Sequence, residues 1–322
     1  MKEILKIDKK DKLILYELNQ NSRQSVAELA RKTRLSRDVV AYRLKELEAK
    51  HLVLGYNALI DASKLGFKVY RVFLNLRAID SDNYNKLVDA LKNNSNTFWV
   101  GKCDGFIDLV FAVWCQSDLE FYNFHKKILN PFRRFISDQV ISTMISYSYL
   151  DSSFLIEKRE KIRDEIYVWN QEGMNFDEID AVILNKLSND ARIPLLAIAK
   201  ELKMDPSAIK YRIRNLEKNR TIKAYKATID FSLLGRDFYS IKLNMSDLSR
   251  LREVKEFIKN NSSVTNFSES LAGFDIEFDM LVLSSQEYFE FIQELKDKFD
   301  SISEVKFYRV VEKFKEINMP KV

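Results

Sequence analysis

An internal repeat dominates this sequence. Residues 7–76 align without a gap on residues 176–245, at a shift of 169 positions. Identical pairs along the alignment are Asp8/Asp177, Asp11/Asp180, Arg23/Arg192, Tyr42/Tyr211, Arg43/Arg212, Tyr56/Tyr225, Asp61/Asp230 and Gly66/Gly235. Because a repeat of this length requires the same local fold twice, the 322-residue chain is predicted to contain two copies of one unit. Beyond residue 245 the copies diverge, yet the order of predicted elements still repeats.

Each copy starts with three helical patterns. In the first copy, Ser25 is a predicted N-cap with Glu28 at the capping-box position, and Ser36 caps the next helix. Residues 33–35 alone separate these two helices. The second copy opens its third helix with Pro206, a residue favoured in the first helical turn. Two helices joined by about three residues, the second of them basic, indicate a helix-turn-helix, and the β-rich stretch after each motif predicts a wing.

Each copy continues with the pattern strand, helix, strand, strand, helix, strand. This order is typical of a ferredoxin-like βαββαβ unit, an antiparallel sheet with both helices on one face. We therefore predict an α+β fold made of two tandem copies of a winged helix-turn-helix plus a ferredoxin-like βαββαβ domain. The predicted segments are 1–62 (first winged helix-turn-helix), 65–150 (first α/β domain), 151–174 (an amphipathic connector helix), 175–231 (second winged helix-turn-helix) and 234–316 (second α/β domain).

Positive charge is concentrated in the two helix-turn-helix segments. Residues 1–60 carry 13 Lys or Arg against 8 Asp or Glu, and residues 170–229 carry 11 against 8. The whole chain has a net charge of +5, so the remaining residues are acidic on balance. A localised basic excess is typical of a nucleic-acid footprint.

Several classes of protein are disfavoured by composition. Cys103 and Cys115 are the two cysteines, and both sit in apolar runs, so they are predicted to be core residues rather than disulfide or metal ligands. No apolar run is long enough to span a bilayer, and the first 20 residues lack a signal-peptide core. We expect a cytoplasmic protein without a membrane partner, a cofactor or a metal.

Two segments resemble the helix-turn-helix and wing of the Lrp/AsnC (feast/famine) transcriptional regulators: LSRDVVAYRLKELEAKHLVLGYNALIDASKLG and MDPSAIKYRIRNLEKNRTIKAYKATIDFSLLG. They share the pattern Y-R-[LI]-x-x-L-E, followed by the predicted wing and a Leu-Gly pair. The βαββαβ segments resemble that family's effector-binding and oligomerisation domain. The resemblance covers nearly the whole chain and implies a double-length tandem member. In that family the turn of the helix-turn-helix often holds glycine, whereas this chain has Arg34 and Lys203 at the two turns.

The third helix of each copy carries polar and basic residues off its predicted buried stripe. The N-terminal half of a recognition helix meets base edges, and basic residues further along meet phosphates. Tyr42 and Tyr211 fit either DNA contact or packing beneath the helix. Arg43 and Arg212 fit either DNA contact or an ion pair with Glu46 or a neighbouring helix. The candidate DNA-binding residues are Arg34, Ser36, Arg37, Tyr42, Arg43, Lys45, Lys203, Pro206, Ser207, Lys210, Tyr211, Arg212 and Arg214.

The resemblance also implies an effector loop of the type Gly-x-x-Asp or Gly-x-Asp. The candidate effector-binding residues are Gly105, Asp108, Gly273 and Asp275. The two loops differ in spacing, which leaves open whether the copies share a ligand. Asp275 also alternates with Glu277 and Asp279, so three carboxylates share one strand face. That face fits either a cation or positively charged effector, or a sheet surface turned to solvent or to a partner.

These features favour a sequence-specific DNA-binding transcriptional regulator, not an enzyme, with double-stranded DNA as partner and an amino-acid-like small molecule as effector. We expect a homodimer or higher homo-oligomer, with the α/β domains paired within or between chains. Two alternatives stay open. Sirohaem decarboxylases share this architecture and occur as fused pairs, but their His-Asn-Tyr-x-Arg type segment has no counterpart in NTFWVGKCDG or VTNFSESLAG. An architectural, chromatin-like protein that coats DNA would also use helix-turn-helix motifs.

Overall fold

The computed structural model describes residues 4–150, 152–156, 165–168 and 175–321. The first half of the chain forms α1 (Lys9–Gln20), α2 (Val26–Thr33), α3 (Arg37–Ala49), β1 (Val53–Ile60), β2 (Lys68–Leu76), α4 (Ser81–Asn93), β3 (Thr97–Gly105), β4 (Leu109–Cys115), α5 (Asp118–Leu129) and β5 (Ile136–Tyr149). After it come β6 (Glu165–Val168), α6 (Glu178–Asn189), α7 (Leu195–Leu202), α8 (Pro206–Lys218), β7 (Ile222–Ile229), β8 (Asp237–Met245), α9 (Leu251–Lys259), β9 (Val264–Leu271), β10 (Ile276–Val282), α10 (Ser285–Lys298) and β11 (Ile302–Glu316). The predicted mixture of helix-turn-helix motifs and β-rich segments is confirmed.

The predicted helix caps are confirmed. Ser25 and Glu28 form a reciprocal capping box at the start of α2, and the side chain of Ser36 accepts a hydrogen bond at the start of α3. The turns after α2 and α7 hold Arg34 at φ 56° and Lys203 at φ 51°, both left-handed. An L-residue loses about 1–2 kcal/mol in this conformation, which glycine would avoid. Each turn therefore has a strained backbone and a basic side chain.

The helix-turn-helix motifs of both copies lie in one compact unit, whose described residues fall within Met1–Asp61, Leu150–Glu165 and Asn175–Asp237. In it, β1 and β7 pair antiparallel, with Tyr56 opposite Ala227. The β-rich stretch predicted as a wing in each copy is a single strand, β1 or β7, and the two strands pair with each other. Each copy supplies one strand to a shared ribbon, because the backbone N–H and C=O groups of a single strand need a partner.

A second compact unit, within Ala62–Tyr149, Ile166–Met174 and Phe238–Val322, is built on a closed sheet. The strands follow the order β2-β4-β3-β11-β8-β10-β9-β5, and β5 returns to pair with β2. Each half shows the predicted order of strand, helix, strand, strand, helix, strand. The outer strands of one half pair with those of the other, β3 with β11 and β5 with β9. The α/β segments thus pair within one chain.

One face of the sheet packs on the helices and forms the apolar core. Phe111 and Phe121 belong to this core in the first half, and Phe278 packs edge-on against Phe291 of α10 in the second. Cys103 and Cys115 are buried, as predicted, and burial raises the pKa of each thiol to about 12. Both cysteines therefore stay protonated and unreactive at neutral pH.

The other face of the sheet buries a cluster of charges. Glu277 is fully buried and forms ion pairs with Arg71 and with Lys242, whose Nζ lies 2.7 Å from the Glu277 carboxylate. Asp279 accepts a hydrogen bond of 2.6 Å from the Ser240 hydroxyl. Glu277 and Asp279 therefore do not form a solvent-facing or cation-binding face, because closure of the sheet encloses this side of β10, whereas Asp275 lies just before β10 and is exposed.

The predicted connector helix over 151–174 lies largely outside the described residues. Where it is described, the prediction of a helix is wrong for Glu165–Val168, which form strand β6 next to β5, and Ser153–Leu155 form a single 3-10 turn. The strand satisfies its backbone groups by pairing at the sheet, an option that helical periodicity does not reveal. No helix among the described residues is long and apolar enough to cross a membrane.

Candidate nucleic-acid interface

Helices α3 and α8 each bury one stripe of side chains and expose side chains on the opposite side. On α3 the buried side chains are Val40, Leu44 and Leu47, and on α8 they are Ile209, Ile213 and Leu216. The exposed residues between these stripes are Arg37, Asp38, Ala41, Tyr42 and Lys45 on α3, and Pro206, Ser207, Lys210, Tyr211 and Arg214 on α8. We call these ten residues the reading surface. It contains eight of the thirteen predicted DNA-binding residues.

Two tyrosines stand out on the reading surface. Tyr42 and Tyr211 are each 66% exposed, so neither packs beneath its helix. A large aromatic side chain at this exposure has an apolar ring and a hydroxyl available to a partner. Of the two alternatives drawn from the sequence, the structure favours contact with a partner.

The basic residues of the reading surface are unpaired. Arg37, Lys45, Lys210 and Arg214 are exposed and form no ion pair with any part of the chain that the structure describes. Arg34 and Lys203 are exposed at the turns, whereas the Ser36 hydroxyl is used as a helix cap. Unpaired cations on a helix that follows a tight turn can approach phosphates without first breaking a salt bridge.

Arg43 and Arg212 form ion pairs with a neighbouring helix, one of the two alternatives that the sequence left open for them. The Arg43 guanidinium lies 2.7 Å from Asp11 and 2.9 Å from Asp8, both at the start of α1. Arg212 repeats these contacts with Asp177 and Asp180. The hydrogen bond from Arg43 to Asp11 raises the pKa of Arg43, so the arginine stays charged. Each arginine ties the third helix of its motif to the first, and DNA contact by either one stays a prediction.

The sequence analysis missed a pair of reciprocal contacts between the two motifs. Arg23 donates to the Ala191 carbonyl at 3.1 Å, and its guanidinium lies over the Tyr225 ring. Arg192 donates to the Ser22 carbonyl at 2.7 Å and lies over Tyr56. Both arginines were visible as an identical pair of the repeat. These contacts join the two motifs directly.

Two of the predicted effector residues, Asp108 and Asp275, accept hydrogen bonds from backbone N–H groups. The Asp108 carboxylate accepts a hydrogen bond from the Leu76 N–H at 2.6 Å, and Asp275 does the same for Met245 at 2.7 Å. The two aspartates are thus structural equivalents despite their different spacing from glycine. Gly105 has φ 138° and lies against the backbone of β11, while Gly273 has φ 101°. Gly273 and Asp275 also line a cleft of about 370 Å³ in the second half.

Metal chemistry finds little support in the described ranges. No three or more His, Cys, Asp or Glu side chains are placed there to hold a metal ion. His125 contacts Gln139 at 3.0 Å, and His51 is an exposed residue after α3.

Comparison with known families supports the Lrp/AsnC family for the helix-turn-helix segments. Residues 7–53 match the winged helix-turn-helix DNA-binding family, and residues 176–217 match the AsnC-type helix-turn-helix domain. The chain is 29% identical over 140 residues to an uncharacterised HTH-type transcriptional regulator of Pyrococcus furiosus, covering 43% of this chain and 90% of that protein.

Other relatives match single segments. Identity to the HTH-type transcriptional regulator LrpA of Pyrococcus horikoshii is 29% over 139 residues, which is 43% of this chain and 99% of that protein. Identity to the proline dehydrogenase transcriptional activator of Rhodobacter capsulatus is 39% over 75 residues, which is 23% of this chain and 48% of that protein.

Some solved structures resemble the chain over almost its full length. The crystal structure of the siroheme decarboxylase NirDL matches with a TM-score of 0.65, covering 97% of this chain and 94% of that chain. The sequence identity is 12%, so this likeness concerns the fold alone.

Proposed function

We propose that this chain is a double-length member of the Lrp/AsnC regulators and binds double-stranded DNA to control transcription. In this proposal it holds two winged helix-turn-helix motifs and two ferredoxin-like units, divided as the sequence repeat predicts. The observation that carries the proposal is the reading surface, where four unpaired basic side chains and two exposed tyrosines occupy both third helices. The names of the sequence relatives agree with it.

The two halves of the reading surface are not equivalent, and we propose that the DNA site is correspondingly asymmetric. Where α3 presents Arg37 and Asp38, α8 presents Pro206 and Ser207. Lys210 of α8 occupies the position of Ala41. A guanidinium reads guanine well, whereas Pro206 offers no hydrogen-bond donor, so the two half-sites should differ in sequence.

DNA binding is tested with the double variant Arg37→Ala/Lys210→Ala. We expect affinity for a specific fragment to fall at least about 30-fold, because each of the two base or phosphate contacts contributes about 1–3 kcal/mol. The slope of log K against log salt should become less steep, since fewer counterions are released. Fluorescence anisotropy over a salt series measures both.

The matched control for this experiment is Lys127→Ala/Arg252→Ala, which removes two exposed charges from α5 and α9 and should leave affinity unchanged. Unaltered binding by Arg37→Ala/Lys210→Ala would disprove the assigned surface. Equal affinity for specific and random fragments would instead support an architectural, DNA-coating protein.

A second function, sirohaem decarboxylation, has the fold likeness to NirDL in its favour. Against it stand the absence of the His-Asn-Tyr-x-Arg type segment and the contact of His125 with Gln139. Stoichiometric binding of an iron tetrapyrrole, read as a shifted absorption band, would favour the enzyme over the regulator.

Small-molecule control belongs to the proposal as well. The cleft beside Gly273 and Asp275 is the candidate effector site in the second half. Its volume of about 370 Å³ suits a ligand of amino-acid size.

The prediction of a homodimer or larger assembly stays open, and light scattering is expected to give at least twice the chain mass of 37.9 kDa. A mass equal to one chain would contradict it.

A further inference from the structure

A second cleft, of about 420 Å³, opens on the first half of the closed-sheet unit. Three arginines contribute to its walls, Arg77 after β2 and Arg133 and Arg134 after α5, together with the start of β5. Ser137, Asp138 and Gln139 complete its polar lining. This cleft is separate from the one beside Gly273, with which it shares no residue.

Main-chain contacts fix the arginines of this cleft. The Arg77 N–H donates to the Phe135 carbonyl at 2.8 Å, and the Arg77 Nε donates to the Arg134 carbonyl at 3.3 Å. The Arg134 guanidinium lies 4.5 Å from the centre of the Phe135 ring. Ala78 follows Arg77 at φ 47°, a strained value for a residue with a Cβ. The cleft is thus held in shape before any ligand arrives.

The second half of the chain shows that the fold does not need these arginines. There the Ser246 N–H donates to the Ser301 carbonyl at 2.8 Å, the same bond that Arg77 makes to Phe135. Ser246 therefore occupies the position of Arg77, and Asp300 that of Arg134. One backbone corner is built with three arginines in one half and with serine and aspartate in the other. The arginines therefore have a role other than forming the corner.

The charge of the cleft is not neutralised. Arg77, Arg133 and Arg134 are exposed and form no ion pair within the described ranges, and Asp138 is the one carboxylate of the lining. Three guanidiniums and one carboxylate leave an excess of two positive charges. Grouping like charges without partners is unfavourable for folding, so an external anion is the natural counter-charge.

We propose that this cleft binds a small anion with at least two negative charges, of the phosphorylated or polycarboxylate class. Guanidinium groups form paired hydrogen bonds with phosphate and carboxylate oxygens, and three of them around one cleft favour a multivalent ligand over a single carboxylate. The volume suits a small metabolite rather than a macromolecule. This ligand differs in charge from the amino-acid-like effector proposed above, and it binds in the first half of the closed-sheet unit alone.

The proposal is tested on the full chain by calorimetric titration with pyrophosphate and with citrate, at an ionic strength held constant with NaCl. We expect saturable binding of at least one probe. Binding should weaken by at least about tenfold in Arg77→Ser/Arg133→Ser and less in Arg77→Lys/Arg133→Lys, which keeps charge but loses the paired geometry. The control Lys127→Ser/Arg252→Ser removes two charges elsewhere and should bind the probe normally.

Three results would overturn the proposal. The first is the absence of saturable binding to the unmodified chain, and the second is equal binding by the serine variant once circular dichroism shows it folded. The third is a loss of DNA affinity in the serine variant, without any probe, as large as that of Arg37→Ala/Lys210→Ala. In that case the arginines contact DNA phosphates instead. A serine variant that keeps DNA binding but loses probe binding supports the proposal. The DNA affinity of Arg37→Ala/Lys210→Ala tests the proposed function alone and does not bear on the anion cleft.

Discussion

Replacing Glu277 by glutamine is expected to lower the free energy of unfolding by about 3–5 kcal/mol, because it leaves two buried cations without their carboxylate. Glu277 has no exposed surface, and the side chains of Lys242 and Arg71 are 1% and 12% exposed. Water cannot replace the lost charge at such a site. Urea denaturation followed by circular dichroism measures the loss.

The same experiment includes a triple variant, Arg71→Met/Lys242→Met/Glu277→Leu, which removes the three charges of these two ion pairs together. We expect it to recover much of the stability, since apolar side chains of similar size often replace a buried ionic cluster without penalty. Glu253→Gln is the control, because Glu253 pairs with Arg250 at the surface and its loss should change little. A triple variant less stable than Glu277→Gln would contradict this account.

Stability should also fall in acid through Glu277. Burial alone raises the pKa of this carboxyl, but the charges of Arg71 and Lys242 outweigh burial and lower the pKa from 4.5 to about 2. A carboxyl with a lowered folded-state pKa stabilises the protein above its unfolded pKa. Its contribution is therefore complete above about pH 4.5 and disappears as the pH falls towards 2. The Glu277→Gln variant should show a flatter profile over this interval.

Local structure could be predicted from this sequence because its signals are local. The caps at Ser25 and Ser36 depend on residues three positions apart, and the structure confirms them. The repeat also held more information than the helix pattern alone. Arg43 and Arg212 are identical in the two copies because they fasten α1 to the third helix. Positions of the reading surface that differ between the copies are the better candidates for DNA specificity, such as Arg37, which corresponds to Pro206 in the second copy.

Pairing between the halves could not be predicted, because no local signal marks it. One outer strand of the first half, β3, pairs with a strand about 200 residues away, as in Tyr308 opposite Gly105. Alternation along β10 showed that Glu277 and Asp279 share a face, but alternation does not tell whether that face is open or enclosed. Sheet closure decides this, and it turns an expected surface into a buried ion cluster. The shared ribbon of β1 and β7 escaped prediction for the same reason.

Gly105→Ala is expected to destabilise the chain by about 3 kcal/mol or more, the sum of backbone strain and a steric clash. Gly105 has φ 138°, and a Cβ built on it would lie 2.4 Å from the Phe307 carbonyl oxygen and 2.8 Å from the Tyr308 Cα. These are backbone atoms of the paired strand β11, which cannot rotate away as a side chain can. The clash falls on the junction that closes the sheet.

Two other glycines separate strain from clash. Gly66→Ala should cost about 1–2 kcal/mol, because φ is 84° but nothing lies within 4 Å of the new Cβ. Gly273→Ala should fall between the two, since its Cβ meets the Val140 side chain at 3.2 Å. If Gly105 served an effector instead, its alanine variant would unfold like that of Gly66 and lose ligand binding alone. An unfolding free energy that decreases from Gly66→Ala to Gly273→Ala to Gly105→Ala would show that Gly105 is required by the close approach of β11.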